Sequence, residues 1–232
     1  MRHFATILLL SILAAPLSAQ VGIPPADSPY RDILPGTTFE GAFGRISGNG
    51  GPLHAGPRDA TMFSVRALLR ANRTLSIGFG LWRAAAVRTV IDPTLSPAEQ
   101  ETGEVDQDIT GLEALVQFNV TGGKRWHFVA PFAGVGLGAG ISPKTEDPYA
   151  YEFGTKFYFA PMVGGRIFLA ERMYLRLEAK ATTWKLKYPG AWSIEPADDP
   201  GTTENPNAVN PTGREGQYVV APTLSVGFGF AF

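Results

Sequence analysis

The chain contains no cysteine, and after its N-terminus it has no uncharged apolar run of the ~20 residues that a membrane-spanning helix needs. Without cysteine, disulfides and thiolate metal sites are excluded. Lysine and arginine total 20 against 21 aspartates and glutamates, so a nucleic-acid partner is not expected. The three histidines lie far apart and match no metal-ligand spacing, so we also expect no cofactor.

The N-terminus has the layout of a secretory signal peptide. A basic start at Met1-Arg2-His3 precedes an apolar run from Phe4 to Leu17, and Leu17-Ser18-Ala19 offers small residues for cleavage. This pattern predicts a cleaved signal at residues 1–19 and an exported protein. Residues 20–36 are rich in proline and polar residues, which predicts an extended leader rather than a domain.

Hydrophobic residues in the remaining chain, residues 37–232, alternate with small or polar ones at a period of two. In the last ten residues, the large apolar side chains are Leu224, Val226, Phe228, Phe230 and Phe232. Such alternation places all large side chains on one face of a strand. Eight segments show it: 37–46, 61–70, 74–84, 111–120, 127–141, 153–169, 173–188 and 217–232.

Short and long connections alternate between these segments. The short ones are 71–73, 121–126 and 170–172, and the long ones are 47–60, 85–110, 142–152 and 189–216. This layout predicts an all-β fold, a transmembrane eight-stranded antiparallel up-and-down β-barrel with its apolar face toward lipid. The alternative is a soluble, lipocalin-like barrel with the polar face outside and the apolar face lining a cavity.

The last strand also resembles a known signal. Ser225, Gly227, Phe230 and Phe232 match the C-terminal pattern of bacterial outer-membrane barrels, which ends on an aromatic residue. The segment PFAGVGLGAG at residues 131–140 is similar to the glycine-rich strand in the middle of OmpA/OmpX-like eight-stranded barrels. The resemblance covers nearly all of residues 20–232 in pattern but little in identity. It implies a monomer in the outer membrane, where it contacts lipid and lipopolysaccharide, and a last strand read by the barrel-assembly machinery.

The face opposite the large apolar side chains carries charges. They are Glu40, Arg66, Arg70, Glu113, Lys156, Arg166, Arg176, Glu178 and Lys180. A barrel of eight strands has an interior just wide enough for side chains, so unpaired charges there would be costly. We expect each of the three carboxylates to be shared between basic neighbours. Either this network fills the barrel, or it gates a narrow ion path that favours anions.

The predicted long loops are acidic. They contain Asp92, Glu99, Glu101, Glu104, Asp106, Asp108, Glu195, Asp198, Asp199 and Glu204. These carboxylates are either solvated, or they hold a hard cation between loops or bridge one to lipopolysaccharide. Weak candidate ligands are Asp106, Asp108, Asp198 and Asp199, but their spacing matches no known calcium loop, so no metal site is assigned.

Aromatic residues near strand ends are expected at the two bilayer interfaces. Trp126, Tyr174 and Phe232 would mark one interface, and Tyr151, Trp184 and Tyr188 the other.

The sequence favours a structural or surface-interaction protein that presents acidic loops from a plugged barrel. The first alternative is a narrow channel for ions or small solutes. A lipid-modifying enzyme is less favoured, because there is no GxSxG motif and the two later histidines, His54 and His127, are far apart. We therefore expect no enzymatic activity.

Overall fold

The computed structural model describes residues 28–34, 36–93, 95–96, 98–144, 151–193, 208–210 and 216–232. The predicted signal peptide at residues 1–19, the start of the leader and the carboxylates Asp198 and Asp199 lie outside these ranges. In the described part of the chain, no helix has the length and apolar character needed to cross a membrane.

The described residues form ten strands and one short 3₁₀ helix. These are β1 at Tyr30–Asp32, β2 at Thr37–Asn49, β3 at Arg58–Arg70, β4 at Leu75–Ile91, β5 at Glu101–Asn119, β6 at Lys124–Trp126, β7 at Val129–Ile141, β8 at Thr155–Phe168, β9 at Met173–Lys187, the 3₁₀ helix at Gly190–Ser193, and β10 at Gly216–Ala231.

The eight long strands close into an antiparallel barrel. They pair in the order β2, β3, β4, β5, β7, β8, β9 and β10, and β10 pairs back onto β2. At this seam Phe39 lies opposite Phe230, and the Phe232 amide donates a hydrogen bond to the Thr37 carbonyl at 2.9 Å. Every long strand therefore has two neighbours and no open edge. The predicted eight-stranded up-and-down barrel is confirmed.

The barrel has two different ends. The turn end carries the short connections β3–β4 and β8–β9, the β6 segment between β5 and β7, and the ends of β2 and β10 that meet at the seam. The loop end carries the longer connections β2–β3, β4–β5, β7–β8 and β9–β10.

Strands β4 and β5 extend beyond the barrel wall as one hairpin, which shortens the predicted 85–110 loop to residues 92–100. Their pairing continues from Ala85 opposite Asp108 to Ile91 opposite Glu101. Residues 101–106 are exposed on both faces of the strand. Because neither face of that segment is apolar, its sequence lacks the alternation by which a strand is recognised. The acids predicted in a loop there therefore lie on a strand.

The outward face of the barrel is apolar. Phe157 is 82% exposed, Leu224 68% and Phe43 63%, although all three are large hydrophobic residues. Charged side chains of β2, β3, β5 and β9 face the interior instead, with Glu178 and Arg176 among them. This sorting is opposite to that of a soluble barrel, which excludes the lipocalin-like alternative and is typical of strands that contact lipid.

Exposed ion pairs border this apolar belt toward the loop end. Arg45 Nη2 lies 3.2 Å from Asp59 Oδ1, and Arg83 Nη2 lies 2.5 Å from Asp108 Oδ2, all on side chains at least 46% exposed. Since charges are costly in hydrocarbon, these pairs mark the level at which the outer face of the barrel meets water.

The aromatic side chains divide differently from the prediction. Trp126 and Phe232 are exposed at the turn end, as expected for an interface. The prediction is wrong for Tyr174, Tyr151, Trp184 and Tyr188, because all four side chains are buried inside the barrel or its loop end. Tyr174 and Trp184 lie on β9, whereas Tyr151 and Tyr188 lie just outside the strands, and none of the four faces lipid.

The leader closes over the turn end. Tyr30 of β1 lies opposite Trp126 of β6, and the Ile33 amide donates to the Gly123 carbonyl at 3.0 Å. Ile33 also packs against the cluster that contains Phe168 and Tyr174. The described residues 30–33 are thus bound to the barrel, with 30–32 in strand β1.

Replacing Gly229 with alanine should destabilise the barrel. A methyl group at this inward position of β10 would lie 2.3 Å from Cζ of Tyr174. Overpacking of this kind costs about 1–3 kcal/mol, which would appear as a lower urea midpoint of the refolded protein. The matched control is Gly165→Ala on β8, where the same methyl group meets nothing within 4 Å. Equal losses in both variants would contradict this packing argument.

Candidate functional site

The charged interior is built by alternation along four strands, with small residues beside the long side chains. Arg66 of β3 lies opposite Glu40 of β2 on one side and Gly80 of β4 on the other. Arg176 of β9 lies opposite Gly227 of β10. Glycine presents no side chain to the interior, so the neighbouring guanidinium groups can extend across the barrel.

Glu178 is the centre of the ion pairs. Its carboxylate accepts two hydrogen bonds from Arg66, at 2.9 Å from Nη1 to Oε2 and 3.1 Å from Nη2 to Oε1. Arg176 donates to the same Oε2 from Nη2 at 2.5 Å and from Nε at 3.0 Å. The bonds from Arg66 join strands β3 and β9, which are not neighbours in the sheet, so they connect the two sides of the barrel.

Glu40 is shared in the same way. Its Oε1 lies 3.2 Å from Arg176 Nη1, and its Oε2 lies 3.5 Å from Arg66 Nε. The Tyr174 hydroxyl donates to Oε1 at 2.6 Å.

Glu113 differs, because it contacts one base rather than two. Lys180 Nζ lies 2.8 and 2.9 Å from its two oxygens, and the Tyr158 hydroxyl donates to Oε2 at 3.1 Å. Tyr158 in turn accepts from Trp82 Nε1 at 2.7 Å. A phenol therefore takes the place expected for a second base. We refer to Glu40, Arg66, Glu113, Arg176, Glu178 and Lys180 as the ionic cluster.

Three of the nine predicted charged residues lie outside the ionic cluster. Arg70 is at the turn end, where Nη1 donates to the Ile33 carbonyl at 2.7 Å. Lys156 is partly exposed near the loop end, with Nζ 5.8 Å from the centre of the Phe153 ring. Arg166 is buried below the cluster and donates to Asn119 Oδ1. Alternation places all three on the expected side of their strands, but at other heights along the barrel.

Several uncharged residues of the site were missed by sequence reasoning. Gln117 accepts a hydrogen bond from Arg176 Nη1 at 2.7 Å, and the Phe132 ring lies 3.8 Å from the same guanidinium. Both face the interior by the same alternation that located Glu113, which is the signal that was available. Tyr174 and Tyr158 were overlooked as hydrogen-bond donors to carboxylates.

Aromatic rings fill the interior toward the loop end. Trp192, in the 3₁₀ helix, stacks on Tyr188 with ring centres 6.0 Å apart and lies 6.4 Å from Tyr151. The Trp192 amide donates to the Pro189 carbonyl at 3.0 Å, which fixes the turn that carries the ring. Burial raises the pKa of the Tyr151 hydroxyl above its usual value, so the ring stays neutral.

Two small cavities lie beside this interior, and a larger one of about 150 Å³ lies at the turn end between the leader residues 31–34 and Phe168. One cavity of about 10 Å³ lies beside Lys180, and one of about 20 Å³ lies at the turn end beside Arg166. Each has room for about one water molecule.

The predicted acidic residues of the loop end are partly paired. His54 Nδ1 lies 3.1 Å from Glu101 Oε1, and Arg58 forms an ion pair with Glu104. Of the weak metal candidates, Asp106 and Asp108 face outward from β5, and Asp108 pairs with Arg83. In the described ranges, no three histidine, aspartate or glutamate side chains are close enough together to hold a metal ion.

Known proteins match this chain in fold. No protein-family model matches it, and no curated protein matches its sequence. The crystal structure of the outer-membrane protein OprG from Pseudomonas aeruginosa superposes with a TM-score of 0.53 at 11% identity, over 89% of this chain and 99% of OprG. Neisserial surface protein A gives 0.47 at 12% identity, over 88% and 98% of the two chains. Ail of Yersinia pestis gives 0.41 at 12%, over 86% and 100%. The chain has the fold of the eight-stranded outer-membrane barrels.

Glu178→Gln should destabilise the protein strongly. The substitution preserves the shape of the side chain but removes the negative charge shared by Arg66 and Arg176. Breaking a buried ion pair costs about 3–5 kcal/mol, measured as a lower urea midpoint of the refolded barrel. The control, Asp59→Asn, removes an exposed partner of Arg45 and should cost less than about 1 kcal/mol. Similar losses in the two variants would refute a dominant role for the buried pair.

Proposed function

We propose that the protein is an outer-membrane scaffold whose barrel is plugged and whose loop end serves for surface interaction. The observation that carries this proposal is the filled interior. Aromatic rings occupy the loop end, the ionic cluster crosses the middle, and the leader covers the turn end. A barrel filled at three levels is suited to holding its loops in place rather than to passing solutes.

The apolar outward face and the predicted signal peptide support a location in the outer membrane, in contact with lipid and lipopolysaccharide. The turn end then faces the periplasm and the loop end the exterior, because such barrels have short periplasmic turns and longer external loops.

The arrangement of the last strand is consistent with the proposal that the barrel-assembly machinery recognises it during insertion. Phe230 and Phe232 pack edge to face with ring centres 4.8 Å apart. Ser225 and Gly227, on the same strand, face the barrel interior. The four residues of the C-terminal pattern thus divide between the two faces of β10, with both aromatic rings on the outward side.

The β4–β5 hairpin supplies the surface for a partner. Its residues 101–106 stand above the apolar belt and are exposed on both faces. Because its backbone is paired up to Ile91 opposite Glu101, the hairpin presents Asp106 and its neighbours on a firm support. The protein thereby exposes a strand surface that carries carboxylates, in addition to loops.

The same barrel interior supports one competing function, a narrow channel that favours anions. Among the described residues, four buried bases face three buried acids, and this excess of positive charge favours the alternative. Enzymatic activity is not proposed, since His54 and His127 lie at opposite ends of the barrel.

The refolded protein should give no steady conductance in a planar bilayer. The ionic cluster crosses the interior, and the two cavities beside it, of about 10 and 20 Å³, are too small for a hydrated ion to pass. Heat-modifiable gel migration of the same sample would show that the protein is folded. A steady, salt-dependent conductance would instead make the protein a channel, and its loss or increase in Glu113→Ala would then identify the ionic cluster as the gate.

Surface labelling can test the proposed orientation, because the natural chain has no cysteine. A cysteine introduced by Asp106→Cys on the β4–β5 hairpin should react with a membrane-impermeant maleimide in intact cells. A cysteine introduced by Glu171→Cys in the β8–β9 turn should react after the outer membrane is permeabilised. The cysteine-free wild type is the control. Labelling of the Glu171→Cys variant in intact cells, with protection of Asp106→Cys, would reverse the proposed orientation.

A further inference from the structure

The buried charges inside the barrel do not balance. Within the described residues, the buried carboxylates are Glu40, Glu113 and Glu178, and the buried cations are Arg66, Arg166, Arg176 and Lys180. All three carboxylates belong to the ionic cluster, together with three of the cations. The surplus charge is Arg166, which is 5% exposed. An uncompensated buried charge is costly, so this position calls for a counterion.

The environment of Arg166 makes the surplus more severe. Arg166 of β8 lies directly opposite Arg176 of β9, and both side chains face the interior. Like charges in this cross-strand position repel each other. The repulsion is relieved for Arg176, which contacts Glu40 and Glu178. For Arg166, no carboxylate of the described residues lies within ion-pair distance. Its direct contacts are Asn119 Oδ1 and Tyr174, whose ring centre is 5.7 Å away. Glu40 attracts it only at longer range, beyond the Tyr174 hydroxyl that donates to that carboxylate.

Arg166 also borders a small cavity whose described lining has no acidic side chain. The cavity of about 20 Å³ is lined by Arg166, Arg70, Thr38, Ser76 and Asn119 among others, and no carboxylate is among the described residues that line it. The Arg166 Nε has no hydrogen-bond partner within the described residues, although it is buried. The leader residues Ile33 and Gly36 close the cavity on the side of the turn end.

We propose that this cavity is a binding site for one small monovalent inorganic anion of the size of chloride. Two guanidinium groups and two hydroxyls line a space for a single water-sized species, which excludes phosphate and carboxylate ligands by size. The bound anion accepts a hydrogen bond from Arg166 Nε and neutralises the surplus charge beside Arg176. The site lies below the ionic cluster, and it does not depend on whether the barrel conducts or presents its loops.

The test is the chloride dependence of unfolding. The refolded wild-type protein is unfolded with urea at constant ionic strength, with chloride replacing the bulky anion gluconate. At chloride concentrations above the dissociation constant of the site, each tenfold rise in chloride concentration should raise the ratio of folded to unfolded protein about tenfold. Arg166→Gln should abolish this dependence. The control Arg172→Gln, an exposed cation in the β8–β9 turn at the same end of the barrel, should retain it.

Two results would overturn the proposal. A wild-type midpoint that does not change between gluconate and chloride would show that water alone occupies the cavity. An unchanged chloride response in Arg166→Gln would show that the anion binds elsewhere. If Arg166→Gln does not refold, crystals of the wild type grown in bromide decide the question. An anomalous peak within hydrogen-bond distance of Arg166 Nε supports the site, and the absence of a peak there refutes it.

Discussion

Closure of the sheet is the constraint on which the rest of this structure depends. In hydrocarbon every backbone amide and carbonyl must be paired within the protein, and pairing β10 with β2 achieves this for all eight long strands. Closure also divides the side chains, because alternate residues then face either lipid or a narrow interior. The long charged side chains in that interior, such as Arg176 and Glu178, must find partners across the barrel. The ion pairs are therefore a consequence of the closed sheet and its width.

The ionic cluster and the glycines form one arrangement. Gly80, Gly164 and Gly227 lie opposite Arg66, Glu178 and Arg176 on neighbouring strands. A methyl group at Gly80 would lie 3.3 Å from Arg66 Cβ, and one at Gly164 would lie 2.5 Å from the Phe132 ring that contacts Arg176, so these two glycines leave space for the cluster. The abundance of glycine, 27 residues, is thus related to the interior charges as well as to turns. Substitution of either partner changes the fit of the other.

Alternation in the sequence predicts the face of a residue well and its height poorly. Glu40, Arg66 and Glu178 were correctly expected inside, because each is adjacent to an outward apolar residue on its own strand. Arg70, Lys156 and Arg166 share that pattern, yet they lie above or below the cluster. Height depends on the relative shift of strands around the barrel, and contacts such as Arg66 with Glu178 join residues 112 positions apart. No local pattern encodes that separation. The β4–β5 extension was missed because a strand surrounded by water on both faces needs no alternation.

The seam between β2 and β10 has a consequence for the order of folding. These two strands are the first and last of the barrel, so their pairing closes the longest loop and is expected to form late. Until it forms, β10 has an unpaired edge along the register that later carries Phe230 opposite Phe39. Exposed edges recruit other strands and lead to aggregation. A temporary neighbour that covered the free edge of the last strand during assembly would prevent such pairing.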